Sequence, residues 1–256
     1  MKYLAVLGRQ PLISLAELES LFGDVQKLSA ELAIFESEKQ PSIDRMGGTL
    51  KIATELEKSP LDFLSDLPDG KITLGISDYS AKVSPRQVGS EALKLKKILV
   101  RHGRSVRIIP NKTTVLSTAT AFHNSLGLKQ NHIELIKFNK KWFVSCGVQN
   151  IDAYRNRDQA RPARDAKVGM LPPKLAQILI NLCGDLPKDS RVLDPFCGTG
   201  VVLQEAYLMD YEPYGTDIDE RMVKYSQKNL EWLVKTSDKS FFVAAVLAPV
   251  FTGLGR

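Results

Sequence analysis

Short apolar runs separated by polar turns dominate the first 70 residues of the chain. Residues 2–8 alternate as a strand does, and further strands are predicted within residues 25–36 and at residues 49–52. Between them, the pattern Ser14-x-x-Glu17 predicts the capping box of a helix that stops at Gly23. Gly47-Gly48 is predicted to be a turn. Strands and helices that alternate over so short a distance predict a ferredoxin-like α+β module.

Residues 71–150 repeat this mixture of strand and helix patterns. A strand is predicted at residues 71–77, and a long helix at residues 85–100 has Val88, Ala92, Leu95 and Leu99 on one side. The elements predicted after this helix are a strand at 105–109, a short helix at 118–126 and paired strands at 133–138 and 142–148. The pattern therefore predicts a second α+β segment.

The rest of the chain is organised around the ten residues from Arg191 to Gly200, which read Arg-Val-Leu-Asp-Pro-Phe-Cys-Gly-Thr-Gly. The first three predict a buried strand of a parallel sheet, which Pro195 ends. The two glycines allow the backbone to approach a ligand closely, and an apolar helix is predicted from Val201. A strand, a glycine loop and a helix in this order place a small molecule at the carboxyl edge of an open α/β sheet.

The residues around this loop narrow the choice of ligand. A phosphate-binding loop would need a lysine after Gly200, and a dinucleotide fingerprint would need glycine or alanine where Leu203 stands. Asp217 closes a second short strand 19 residues after Gly198, where a carboxylate can accept the ribose hydroxyls of an adenosine-containing cofactor. The alternative is a turn of a nucleotide-type fold that holds no ligand.

Composition places the chain among ordinary globular proteins, with 43% apolar and 25% charged residues in 256. No membrane-spanning run or signal peptide is evident, which predicts a cytoplasmic protein. The three cysteines are far apart and show no metal-ligand spacing, so no metal is expected. Cys197 is interpreted as a small residue lining the loop and not as a nucleophile, because no partnering base is evident.

The net charge of +6 is distributed unevenly along the chain. Residues 71–180 hold 20 basic and 6 acidic side chains, whereas residues 1–70 hold 7 and 12, and residues 181–256 hold 8 and 11. A basic middle between acidic flanks favours a surface that binds nucleic acid, and the alternative is a solvated lysine face.

Several of these segments together resemble one enzyme family. The segments are Asp194-Pro-Phe-Cys-Gly-Thr-Gly200, Gly215-Thr-Asp-Ile-Asp219 and the stretch from Met222 to Asn229, preceded by Arg155-Asn-Arg-Asp158, Arg161-Pro162 and Gly169-Met-Leu-Pro-Pro-Lys-Leu-Ala176. They are similar to the S-adenosylmethionine-dependent RNA methyltransferases that carry a THUMP domain, in particular the tRNA guanosine N2-methyltransferases of the position-10 type. An amino-methyltransferase acting on ribosomal RNA or DNA adenine, which shares the loop, is an alternative. A tRNA-binding module without activity is another.

The resemblance implies a fold in four parts and a tRNA partner. They are a ferredoxin-like domain at 1–70, a THUMP-like RNA-binding domain at 71–150, a basic linker at 151–170 and the first part of a Rossmann-like, cofactor-binding methyltransferase domain at 171–256. In the family the THUMP domain grips the acceptor end of tRNA. Side chains that could contact RNA phosphates, each a weak signal alone, are Arg86, Lys94, Lys97, Arg101, Arg104, Arg107, Lys112, Arg155 and Arg157. Internal pairing with aspartates is the alternative for the arginines of the linker.

The resemblance also implies a binding site for S-adenosylmethionine. Its residues are Asp194, Pro195, Phe196, Cys197, Gly198, Thr199, Gly200, Asp217 and Ile218. Asp194 and the glycine backbone would hold the methionine side, Asp217 the ribose, and Ile218 would flank the adenine. Asp219 is predicted to cap the following helix. Met170, Leu171 and Pro172 are expected near the methionine end.

The catalytic residues stay unassigned. The family clamps the target base with Asp-Pro-Pro-Tyr or a close variant, and that motif does not occur in this chain. A fragment, one half of a split enzyme completed by a partner chain, and an RNA-binding relic are the three explanations that stay open. The apolar run at residues 243–251 would be exposed if nothing covered it, which favours further structure or a partner.

Overall fold

The computed structural model describes residues 1–165 and 169–237, which fall into two compact units. The first unit contains Met1–Pro11, Phe22–Asp44 and Thr49–Ile151, and the second contains Leu12–Leu21, Arg45–Gly48 and the described residues from Asp152 onward. Within the described ranges, no helix is both long and apolar enough to cross a membrane. The apolar run at 243–251 lies outside the described residues.

The chain begins with ten elements that lead from the N-terminus to the second strand of the basic segment. They are β1 (Lys2–Leu7), α1 (Pro11–Phe22), β2 (Val25–Lys27), β3 (Leu32–Glu36), a 3-10 helix (Ile43–Arg45), β4 (Thr49–Glu55), α2 (Pro60–Ser65), β5 (Ile72–Asp78), α3 (Pro85–Arg101) and β6 (Val106–Ile108). Three more follow before residue 150: α4 (Thr118–His123), β7 (His132–Phe138) and β8 (Lys141–Val148). The predicted strands and helices are confirmed, with ends that differ by a few residues.

The strands of the first unit form one eight-stranded sheet in the order β2-β3-β1-β4-β8-β7-β5-β6. Its first four strands pair antiparallel in the 2-3-1-4 order of a ferredoxin-like module, and the 3-10 helix stands where the second helix would be. Antiparallel pairing of β4 with β8 joins residues 1–70 and 71–150 in one sheet. All of residues 71–150 and most of residues 1–70, without 12–21 and 45–48, therefore lie in the same compact unit.

Helix α3 forms as its pattern predicts. Ser84 caps it through a full capping box with Gln87, and Pro85 occupies the first turn. Val88 and Leu99 on its inner side pack in a core cluster with residues of β5 and β7. The outer side of α3 consequently presents its basic residues to solvent.

The predicted capping box at Ser14 and Glu17 is wrong. Helix α1 begins three residues earlier, at Pro11, and both side chains are buried inside it. The Glu17 carboxylate instead accepts hydrogen bonds from the amides of Gly47 (2.9 Å) and Gly48 (2.8 Å) and from Asn181 Nδ2 (2.8 Å). Burial raises the pKa of Glu17, while these three bonds act to lower it. Gly47-Gly48 is thus an anion-holding segment as well as a turn, and a Cβ on Gly47 would collide with the backbone oxygen of Lys174.

A buried ion pair lies within the eight-stranded sheet. Lys51 of β4 and Glu134 of β7 have side chains that are 1% and 0% exposed, with Nζ and Oε1 2.5 Å apart. Lys51 Nζ also donates to the Leu116 carbonyl (2.8 Å), and Ser77 Oγ donates to the same Glu134 oxygen (2.6 Å). These bonds offset part of the cost of removing two charges from water.

The second unit contains a βαβ arrangement at its carboxyl-terminal side. Its elements are α5 (Ile151–Gln159, whose first residue belongs to the first unit), α6 (Pro173–Asn181), β9 (Arg191–Asp194), α7 (Val201–Leu208), β10 (Glu212–Gly215) and α8 (Glu220–Thr236). Strands β9 and β10 are parallel, with α7 as the crossover helix. This is the first repeat of a Rossmann-like sheet, so the predicted combination of α+β and α/β parts is confirmed.

Strand β9 is less buried than predicted. Val192 packs in a cluster with Ile180 and Ala206, whereas Leu193 is 63% exposed. Successive strand side chains point to opposite faces, and the described residues leave the Leu193 face uncovered. The interpretation of 191–193 as a strand buried on both faces therefore does not hold for the described part of the chain.

The range predicted as a basic linker is helical in its first part. Arg157 of α5 binds both carboxylate oxygens of the fully buried Glu205, at 2.7 and 3.2 Å. Burial raises the pKa of Glu205, and the Arg157 charge opposes the rise. Tyr154, on the same helix, donates its hydroxyl proton to Gln177 Oε1. Helix α5 is thus part of the packing of the second unit.

Candidate cofactor site

The loop between β9 and α7 adopts backbone angles that select glycine. Gly198 has φ +49° and Gly200 has φ +82°, both in the left-handed region. Gly200 is also the N-cap residue of α7, and a Cβ there would collide with Ser226 Oγ of α8. No heavy atom of the described residues comes within 4 Å of a Cβ built on Gly198, so this part of the chain leaves the loop open at that residue. The backbone angles therefore account for the glycines at positions 198 and 200.

The loops that follow β9 and β10 meet at one edge of the sheet. Asp217 Oδ2 accepts the amide hydrogen of Gly198 (2.9 Å), and Asp217 Oδ1 accepts that of Asp219 (3.0 Å). The amide of Cys197 donates to the Thr216 carbonyl (2.8 Å), which adds a second bond between the loops. The predicted site residues before α7 and after β10 are thus brought together.

Asp194 ends β9 beside this junction. Its Oδ1 accepts the amide hydrogen of Phe196 (3.0 Å). Burial raises the pKa of the Asp194 carboxyl, the Phe196 bond opposes this, and the negative charge of Asp217 adds to the rise. The edge therefore carries two neighbouring carboxyl groups, which suits a ligand with several hydroxyl or ammonium donors.

Two large apolar side chains stand exposed at the same edge. Phe196 is 83% exposed and Ile218 is 87% exposed. Apolar side chains combined with a few placed polar groups are typical of small-molecule sites. Pro195 is exposed as well, whereas Thr199 and Gly200 are buried beneath the loop.

Cys197 has the chemistry of a lining residue. Burial raises the pKa of its thiol to about 11, which keeps the thiol neutral at physiological pH. The thiolate is the nucleophilic form of cysteine. This agrees with the interpretation of Cys197 as a small residue of the loop.

Helix α8 supplies contacts to the loop that the sequence did not reveal. Asp219 caps the helix by accepting the Arg221 amide hydrogen (2.8 Å), as predicted. One face of the helix then presents Ser226 against Gly200 and Asn229 against Thr199. The motif from Met222 to Asn229 was the signal for these residues, but it did not indicate what their side chains would contact.

The segment before α6 is described in part. Met170 accepts a long hydrogen bond from Arg161 Nη2 to its sulfur (3.7 Å), Leu171 is partly exposed, and Pro172 caps α6 without a side-chain bond. Residues 166–168 lie outside the described residues. The expected contact of Met170, Leu171 and Pro172 with a ligand stays a prediction.

Seven of the nine predicted RNA-contact side chains lie on the surface. Four are on the outer side of α3 and have no hydrogen bond or ion pair with any described residue: Arg86, Lys94, Lys97 and Arg101. Lys112 is exposed, and Arg107 and Arg155 are exposed with one long bond each, to Asn124 and Gln159.

The other two have internal partners. Arg104 donates to the carbonyls of Leu67 (2.9 Å) and Pro68 (2.7 Å), and Arg157 is bound to Glu205. For Arg157 the partner is a glutamate from α7 and not a neighbouring aspartate. Both guanidinium groups therefore stabilise the fold.

Within residues 1–165 and 169–237, no group of three or more His, Cys, Asp or Glu side chains could hold a metal ion. The candidate site thus consists of carboxylates, backbone amides and apolar side chains.

Comparison with known proteins finds a family match for one segment of the chain. Residues 161–248, about a third of the chain, match the family described as RMKL-like, methyltransferase domain. This segment is therefore similar to a methyltransferase domain. It includes the glycine loop, both carboxylates of the edge and all of α8.

Curated relatives share one name. The tRNA (guanine(10)-N2)-dimethyltransferase of Methanothermobacter thermautotrophicus is 47% identical over 76 residues, which are 29% of this chain and 22% of that protein. Its namesake from Methanocaldococcus jannaschii is 24% identical over 233 residues, 86% of this chain and 66% of that protein. The chain therefore spans less than two thirds of the length of these relatives. Among solved structures, TrmN from Thermus thermophilus aligns with 91% of this chain and 71% of its own, at 19% identity and a TM-score of 0.45.

Proposed function

We propose that the chain is an S-adenosylmethionine-dependent methyltransferase that modifies N2 of a guanine in tRNA, of the position-10 type. The observation that carries the proposal is the meeting of Asp194, the glycine loop and Asp217 at one sheet edge, inside the segment that matches a methyltransferase domain. The names of the curated relatives support tRNA guanine as the substrate. Because tRNA is the substrate, we expect the protein to act in the cytoplasm.

The residues at the edge fit this cofactor. Each Asp217 oxygen accepts one backbone hydrogen bond and keeps a lone pair, so the carboxylate can still accept both ribose hydroxyls. Ile218 is exposed beside it to flank the adenine, and the open side of Gly198 leaves room for the methionine part. The Asp194 carboxylate, beside the loop, can accept a hydrogen bond from the amino group of the cofactor. When bound, the cofactor supplies an electrophilic methyl group, so the protein's part is mainly to position two reactants.

The basic outer side of α3 supports an RNA partner. Four unpaired cations on one helix face match a target that offers regularly spaced phosphates. We propose that residues 71–150 act as a THUMP-like domain that holds tRNA, while residues 1–70 form the ferredoxin-like domain. Residues 171–256 would then form the cofactor-binding part.

The test is methyl transfer with the labelled cofactor, the purified chain and tRNA transcripts that carry guanine or adenine at position 10. The proposal expects the chain to bind cofactor, and any transferred label to be found in N2-methylguanine of the guanine transcript only. Label on adenine would favour the alternative amino-methyltransferase. Binding of tRNA without binding of cofactor would identify an RNA-binding module without activity.

Charge reversal on α3 is expected to weaken tRNA binding. Lys97→Glu should raise the dissociation constant by about five- to tenfold at 0.1 M salt. The slope of log affinity against log salt concentration should become less steep by about one, the value for one phosphate contact. Filter binding over a salt series measures both. The matched control is Lys27→Glu, an equally exposed lysine on β2 at the opposite edge of the same sheet. Equal losses in the two variants would show that only overall charge matters and would contradict an RNA surface on α3.

A further inference from the structure

The side chain of Asn229 joins three segments that are distant in sequence. Its Oδ1 accepts the amide hydrogen of Ala163 (2.9 Å), and its Nδ2 donates to the carbonyls of Ala163 (2.9 Å) and Thr199 (2.9 Å). Asn229 itself is fully buried on α8. One carboxamide therefore links α8, the segment before residue 165 and the glycine loop.

The three hydrogen bonds use both the donors and the acceptor of the Asn229 carboxamide. A carboxamide has two N–H donors, and both are used on backbone carbonyls. Among side chains of this size, only asparagine can accept from one amide and donate to two carbonyls, since aspartate has no donor and leucine has neither function. The requirement for this residue type is thus set by backbone atoms and not by packing alone.

The position of the contact connects it to the cofactor. Thr199 lies between the two left-handed glycines, and a bond to its carbonyl fixes the orientation of the peptide group between Thr199 and Gly200. Asp217 holds the loop at Gly198, and Ser226 lies directly against Gly200. The bond from Asn229 to Thr199 adds a third contact that holds the loop.

We infer that Asn229 is a positioning residue for the cofactor: it presets the glycine loop and keeps residues 161–165 against it. This inference rests on the proposed function, because it assigns the loop to S-adenosylmethionine. Preorganised loops bind more tightly because the ordering cost is met during folding and not on binding. The loss of Asn229 should therefore lower cofactor affinity by more than the loss of stability explains.

The test compares Asn229→Asp with Leu230→Ala in the 256-residue chain. Asn229→Asp keeps the side-chain volume and removes both donors. Leu230 is the next residue of α8, is buried against Tyr207, and makes no side-chain hydrogen bond to the loop. Calorimetric titration with S-adenosylmethionine gives the dissociation constant, and circular dichroism gives the melting temperature. We expect Asn229→Asp to weaken binding about tenfold or more, from two lost hydrogen bonds. Leu230→Ala should melt earlier with affinity changed less than about twofold.

A second measurement uses the unmodified chain and does not depend on a variant that folds. Hydrogen exchange followed by mass spectrometry should show that peptides covering 161–165 gain protection on cofactor addition together with those covering 195–200. Protection confined to 195–200, or equal affinity of Asn229→Asp and the parent chain, would overturn the inference. A parent chain that does not bind the cofactor would instead overturn the proposed function.

Discussion

Asp217→Ala is expected to abolish cofactor binding while leaving tRNA affinity nearly unchanged. The substitution removes the carboxylate proposed to accept the ribose hydroxyls and also the two bonds that hold the amides of Gly198 and Asp219. Hydrogen bonds to a charged group contribute roughly 1.5–3 kcal/mol each, so losing two should weaken binding by about a hundredfold or more. Calorimetric titration with S-adenosylmethionine and filter binding with tRNA measure the two affinities separately.

The matched control for Asp217 is Asp219→Ala. Asp219 lies two residues further on, is partly exposed and caps α8. Its loss should lower stability slightly, through the lost cap, and leave cofactor affinity close to that of the parent chain. If Asp217→Ala lost cofactor and tRNA together while remaining folded, the proposed division between the two binding surfaces would be wrong.

Lys51→Met is expected to destabilise the first unit strongly. The substitution leaves the Glu134 carboxylate at 0% exposure without its cation, and it also removes the donor to the Leu116 carbonyl. Breaking one side of a buried pair costs about 3–5 kcal/mol, because the remaining charge stays buried. Urea unfolding monitored by tryptophan fluorescence measures the loss, since Trp142 lies on β8, next to β7 in the sheet.

Two comparisons separate the buried charge from other effects of the substitution. Lys58→Met removes a lysine of an exposed pair with Asp66 and should cost no more than about 1 kcal/mol. Lys51→Met combined with Glu134→Leu should recover much of the stability lost in the single variant, because no uncompensated charge remains. A double variant as unstable as the single one would show that packing, and not charge, governs this part of the sheet.

The elements that the sequence predicted well are those that local patterns determine. Helix α3 has its capping box, first-turn proline and apolar side within seventeen consecutive residues, and the structure forms it accordingly. The Asp219 cap of α8 is equally local. The pattern at Ser14 and Glu17 looked the same as a true cap, but its carboxylate is bound by residues 30 and more positions away. Local spacing cannot distinguish these two uses of a glutamate.

The sequence predicted the residue types of the candidate site but not the hydrogen bonds that hold the site in place. The glycine loop and Asp217 belong to a recognisable pattern, whereas the bond between Asn229 and Ala163 spans 66 positions. The roles of the basic side chains were equally beyond prediction from local sequence. Lys97 and Arg157 contribute equally to the basic composition of the middle segment, yet one is free on the surface and the other is bound to Glu205. Only burial, which depends on the folded chain, separates a residue available to RNA from one that stabilises the fold.

The bonds of Glu17 have a consequence for synthesis of the chain on the ribosome. Glu17 and its partner Asn181 are separated by 164 positions. At about 5–20 residues per second, α1 leaves the ribosome roughly 10–30 s before α6 exists. During that interval, the helix lacks the amide partner that its carboxylate has in the finished fold. The packing around Glu17 in the second unit can therefore be completed only after α6 is made, although residues 12–21 of that unit are among the first synthesised.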